Sequence, residues 1–118
     1  MAKNKYIDMD ITNLPTPAFI VDERLLRKNL EILKSVIDRT GCKILLAQKG
    51  FSMFYFYPLI GKYLNGTTAS SLFEARLGYE EMELKNTERK LETHIFNPSY
   101  REDEFDEIME ITNHIVFN

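Results

Sequence analysis

The 118 residues predict an α/β fold, a parallel sheet flanked by helices, on three observations. Short apolar runs alternate with segments of helical period along the chain, strand first and strand last, with four helices between five strands. One run, Lys43-Ile44-Leu45-Leu46-Ala47, is continuously apolar after its lysine, as parallel strands covered on both faces are. The last run is a strand with no helix after it, and a complete (β/α)8 barrel takes about 250 residues. The chain could therefore supply about half of such a barrel.

The elements follow in order. Pro15-Thr16-Pro17 punctuates the start, and Ala18-Phe19-Ile20-Val21 reads as a short strand. Asp22 is placed to cap a helix over 23–39, in which Leu26, Leu30, Leu33 and Ile37 recur at helical spacing; Gly41 stops it. After the strand at 43–47 comes Gly50-Phe51-Ser52, then an aromatic-rich helix over 53–64, kinked or started late by Pro58. Asn65-Gly66 is a turn, and Thr67-Thr68-Ala69-Ser70 is a strand running into a Ser70-Ser71 cap. Leu72, Ala75, Arg76 and Leu77 belong to the next helix, for which Gly78 or the residues after it are the expected stop. Residues 83–92 form a charged connector read as a solvated loop or helix extension. A strand at Thr93-His94-Ile95-Phe96 ends in Asn97-Pro98, an acidic amphipathic helix covers 102–111, and His114-Ile115-Val116-Phe117 is the last strand.

Composition narrows the function classes. A net charge of −3 leaves no basic excess for nucleic acid. No apolar run approaches the roughly 20 residues of a membrane span, and the first residues lack a signal-peptide core, so a cytoplasmic protein is expected. The single cysteine, Cys42, excludes an intramolecular disulfide and is expected to be a small buried residue.

Lys49 is the first candidate for chemistry. It ends the strand 43–47, and that end is where α/β folds build their sites. Alternation sends Leu45 and Ala47 to its side and Ile44 and Leu46 toward the helices. A partly desolvated lysine there has a lowered pKa and offers a neutral amine to a carbonyl. Ala47 and Gly50 leave room for a flat ring. A solvated lysine at a strand end is the alternative. Ser70 and Thr68 end the second strand, where a hydroxyl could bond a ring or a water; capping the next helix is the simpler reading. His94 could approach a ring face or be a satisfied core histidine. Asn97 and Asn118 also end strands on that rim. His114 begins its strand and is expected at the opposite, stability face. The aromatics Phe51, Phe54, Tyr55, Phe56 and Tyr57 read as core and interface packing.

The words around Lys49 carry more. Cys42-Lys43-Ile44-Leu45-Leu46-Ala47-Gln48-Lys49-Gly50-Phe51-Ser52 resembles the lysine-bearing strand of the pyridoxal 5'-phosphate (PLP) enzymes with the alanine-racemase-type barrel, in the carboxynorspermidine decarboxylase branch. Pro15-Thr16-Pro17-Ala18-Phe19 resembles that family's opening strand. Asn65-Gly66-Thr67-Thr68-Ala69-Ser70-Ser71, with Phe73-Glu74-Ala75-Arg76-Leu77-Gly78-Tyr79-Glu80, resembles its second barrel strand and helix. Glu92-Thr93-His94 and Ile115-Val116-Phe117-Asn118 resemble strands three and four. Thr67 stands where diaminopimelate and ornithine decarboxylases carry an acidic residue, which favours this branch. Gln48 stands where the branch shows leucine and should face away from the cofactor.

The resemblance implies the N-terminal portion of a PLP-binding (β/α)8 TIM-like barrel, about four strands of it. Residues 1–22 would carry a strand of a separate β domain, and residues 23–118 the first half of the barrel. It implies decarboxylation of carboxynorspermidine or carboxyspermidine to norspermidine or spermidine, with a small carboxylated polyamine as partner and a homodimer at full length. Lys49 would be catalytic, and Lys49, Ala47, Ser70 and His94 would bind the cofactor; no metal is expected. The phosphate cradle and the partner of the pyridine nitrogen lie in later chain, so these residues alone are expected to be inactive. A PLP-binding carrier or regulator on the same barrel, or a non-catalytic truncated fragment, is the alternative. An exposed strand edge and apolar faces are expected to favour association.

Overall fold

A computed structural model describes Asp10 and residues 12–82 and 90–118. Helix α1, Glu23–Thr40, starts where Asp22 accepts the Leu25 N–H at 3.2 Å, and it stops at Gly41, whose φ of 71° is the left-handed conformation that glycine adopts freely. It turns Leu30 into the core, with Leu26 and Ile37 packed beside it. Strand β1 is short, Leu46–Ala47. Pro58 delays the following helix as expected: a 3-10 turn at Phe54–Phe56 leads into α2, Tyr57–Ile60, with the proline in its first turn.

Strand β2 (Gly66–Ala69), helix α3 (Leu72–Glu81), strand β3 (Glu92–Phe96), helix α4 (Glu102–Ile111) and strand β4 (His114–Val116) complete the chain. All four strands are parallel, in the order β1-β2-β3-β4, so every connection adds its strand to the same edge. Two asparagines pin the register. Asn65 accepts the Ile44 N–H on its side chain (3.0 Å) and donates its own N–H to the Ile44 carbonyl (2.9 Å). Asn113 does the same to Thr93, at 2.8 Å both ways.

One sheet face is covered. Leu46, Thr67, Ala69, Thr93 and Ile95 turn toward the helices, and the last four are buried. Leu30, Tyr57, Ile60, Leu64 and Met82 form one core against β1, while Ala69, Leu72, Ala75, Ile95 and Ile108 form a second between α3, α4 and the middle strands. The other face, with Ala47, Ser70, Phe96, His114 and Val116 exposed, has no covering layer among the described residues. The expectation of strands covered on both faces is corrected to that extent.

Other expectations change. Residues 17–21 form no strand: among the described residues they pair with no neighbour, and Phe19 is 98% exposed. Gly78 does not end its helix but sits buried in its last turns, because the helix crosses so close to the sheet that a Cβ there would lie 2.3 Å from Thr67 Oγ1. Cys42 is exposed, since it lies in the loop before β1 rather than on a packed face. Of the aromatic set, Phe56 and Tyr57 are buried while Phe54 and Tyr55 are exposed. Residues 83–89 of the charged connector lie outside the described residues, but its last member, Glu92, is a buried strand residue.

Candidate functional site

Lys49 stands where β1 gives way to a tight turn. Gly50 and Phe51 donate their N–H groups to the Ala47 carbonyl at 2.9 and 3.3 Å, so the chain reverses around the lysine. Ala47 and Lys49 are exposed on the open face and Gln48 between them is buried, the alternation expected from the strand. The lysine is exposed rather than partly desolvated, because that face has no covering layer among the described residues. Its ammonium has no hydrogen-bond or ion-pair partner among them.

What fixes this turn is a residue that sequence reasoning discounted. Gln48 is 1% exposed, its Oε1 accepts from the Tyr57 hydroxyl at 3.2 Å, and its Nε2 donates to the Thr68 carbonyl at 3.4 Å. Burial pushes the fully enclosed Tyr57 hydroxyl up to about 12, so it stays a donor throughout the ordinary pH range. An amide among apolar neighbours is a signal that could have been read: a buried polar group needs partners, and the aromatic stretch held one.

Across the sheet, register carries the open face on. Ala47 pairs with Thr68, Thr68 with His94, and His94 with His114, so four side chains stand in one row. Ser70 lies beyond the end of β2, exposed, with its N–H donated to Glu74 Oε2 at 2.7 Å. The helix cap is Ser71, whose hydroxyl accepts the Glu74 N–H at 3.3 Å; neither Ser70 nor Thr68 caps α3. Asn97 is committed to a turn through Ser99 N–H (2.9 Å), and Asn118 is exposed.

His94 is not isolated. Its Nε2 is 2.9 Å from Glu92 Oε2, and its ring centroid is 4.2 Å from that of His114. His114 begins β4 beside His94 and 3.7 Å from the carboxylate of Glu92, which begins β3. Asn113 sets β4 a step along β3, so the first residue of β4 meets the third of β3. Lys43 pairs with Glu92 Oε1. The bonds from Lys43 and His94 hold the Glu92 carboxyl at about 2, against the opposite push of burial.

The comparisons with known proteins agree with this architecture. No family model matches the chain. A carboxynorspermidine/carboxyspermidine decarboxylase of Campylobacter jejuni is 43% identical over 105 residues, covering 89% of this chain and 26% of its own. A carboxyaminopropylagmatine decarboxylase of Synechocystis is 37% identical over 108 residues, covering 92% of this chain and 26% of its own. The crystal structure of the Campylobacter jejuni carboxynorspermidine decarboxylase, complexed with norspermidine, superposes with a TM-score of 0.78 at 44% identity, over 87% of this chain and 26% of that one. The chain is a relative of the carboxynorspermidine decarboxylases. It spans about a quarter of the length of the relatives it matches (26% of the first two) and corresponds to the N-terminal part of the solved decarboxylase. No helix among the described residues is long and apolar enough to cross a membrane.

Proposed function

We propose that this chain is the lysine-bearing part of a PLP-dependent decarboxylase acting on carboxylated polyamines, with Lys49 as the residue that binds the cofactor. The observation that carries the reading is an exposed lysine, unpaired among the described residues, at the C-terminal end of a parallel strand in a chain related to decarboxylases of such substrates.

The residues present fit a flat, aldehyde-bearing ring. Lys49 offers an amine with no ion-pair partner among the described residues, and Ala47 beneath it carries only a methyl group, too small to obstruct a ring. The turn leaves space, since even a Cβ at Gly50 would meet only the Ala47 carbonyl at an ordinary 3.4 Å. Lys49 and Ala47 would hold the ring's reactive edge, with Ser70 and His94 as polar groups toward its sides. When bound, the cofactor supplies a conjugated pyridinium that accepts the electron pair left as CO2 departs. Gln48 and Tyr57 keep the turn in place, so that the lysine amine is presented from a rigid element rather than a loose loop.

The relatives are named for carboxylated linear polyamines, which makes that substrate class the natural one here, with norspermidine or spermidine as product. The full-length protein would work as a cytoplasmic homodimer whose barrel is completed by later chain, and residues 1–118 alone would release no CO2. Titrating the chain with PLP and following visible absorbance tests the cofactor role. The expected result is a saturable band that is missing in Lys49→Ala and in Lys49→Arg. An identical titration in both variants would overturn the assignment.

A further inference from the structure

The two histidines of this chain are twenty residues apart, yet the fold brings both onto one carboxylate. Sequence spacing offered no metal motif, because the juxtaposition is made by strand register and not by a local turn. Glu92, His94 and His114 each present a ligand atom, and these atoms all lie within 4.8 Å of one another. His94 Nε2 is 2.9 Å and His114 Nε2 3.7 Å from the same oxygen, Glu92 Oε2. Three ligands around a tetrahedral ion with bonds of about 2.0–2.1 Å sit roughly 3.4 Å apart, so the observed separations need only small side-chain adjustments.

We propose that Glu92, His94 and His114 form a binding site for one borderline divalent cation of the Zn2+, Co2+ and Ni2+ class. Two imidazole nitrogens and one carboxylate oxygen are the donor set such ions select, whereas Mg2+ and Ca2+ prefer oxygen alone. Three protein ligands leave a coordination position open, and the site can be reached: Glu92 is 7% exposed at its base, while His94 is 30% and His114 58% exposed on the open face. Lys43 bonds the other carboxylate oxygen, Oε1, and so orients Glu92 with Oε2 left to the histidines. The proposal shares His94 with the cofactor reading but uses no property of Lys49, so a Zn2+ titration without PLP tests it separately.

Titrating the 118-residue chain with Zn2+ while observing its two histidine Cε1–H resonances tests the site without any substitution. Both resonances are expected to move together and to saturate at one equivalent, with no response to Mg2+. Movement of one resonance only, of neither, or an equal response to Mg2+ would overturn the proposal. Calorimetry on His94→Ala and His114→Ala should then show a loss larger than the roughly 10–100-fold that removal of an outer-shell partner costs. Cys42→Ser should bind as the parent does. Unchanged affinity in both histidine variants, or loss of binding in Cys42→Ser, would also overturn it. Circular dichroism confirms that each variant is folded.

Discussion

Glu92 is the residue whose environment departs furthest from what its neighbours in sequence suggest. It follows a run of charged residues, yet it is buried at the start of β3 and paired with Lys43 and His94. Its carboxyl, ordinarily near 4.5, is held at about 2. As pH falls the unfolded chain takes up that proton first, so the stabilisation is complete above about 4.5 and is lost progressively down to about 2. Urea unfolding should therefore show stability declining across that window, with a shallower decline in Glu92→Gln. Equal slopes would contradict the pairing. Gln48 and Tyr57 make a second residue-scale case. Tyr57→Phe leaves the buried Gln48 carbonyl oxygen without its donor and should cost about 1–3 kcal/mol, and in Tyr57→Phe/Gln48→Leu the loss should be less than the sum of the single losses. Additive losses would show that the two groups do not act together.

At the scale of elements, helices were the most legible part of the sequence. Asp22, the apolar spacing of α1 and Gly41 each specify their feature locally, and α4 matches its expected span of 102–111. Strands were legible as apolar runs, but register was not, because it depends on contacts between residues far apart. Nothing next to Asn113 in sequence announces that it will bracket Thr93 and thereby place His114 beside His94. Of the two expected stops for α3, the residues after Gly78 are the ones that end it; the role of Gly78 itself is set by the sheet beneath it, where Thr67 and Gln48 approach the helix backbone. Alanine favours helices over glycine by about 1 kcal/mol, but here steric conflict should win, and Gly78→Ala is expected to lower stability by about 1–3 kcal/mol in thermal or urea unfolding. A stabilised variant would mean that the helix lies further from the sheet than described.

Among the described residues the sheet is covered on one side only. Its helix-covered face holds two cores, while the face bearing Lys49 also exposes Phe96 and Val116. Apolar surface next to unpaired strand edges favours association, so sedimentation should show the chain's average mass rising with concentration. A constant monomer mass would argue that the open face is covered in solution. The position of Lys49 at the strand end was readable from sequence, as was its side of the sheet. The network that holds it was not, since Gln48 and Tyr57 meet only once the chain has turned.

Lys49, proposed as the cofactor-binding lysine, should carry PLP covalently. Borohydride reduction of the chain with bound PLP, followed by peptide mass mapping, tests it most directly. One stable adduct is expected, on the peptide that contains Lys49. An adduct spread evenly over the exposed lysines, or concentrated on a different one, would contradict it.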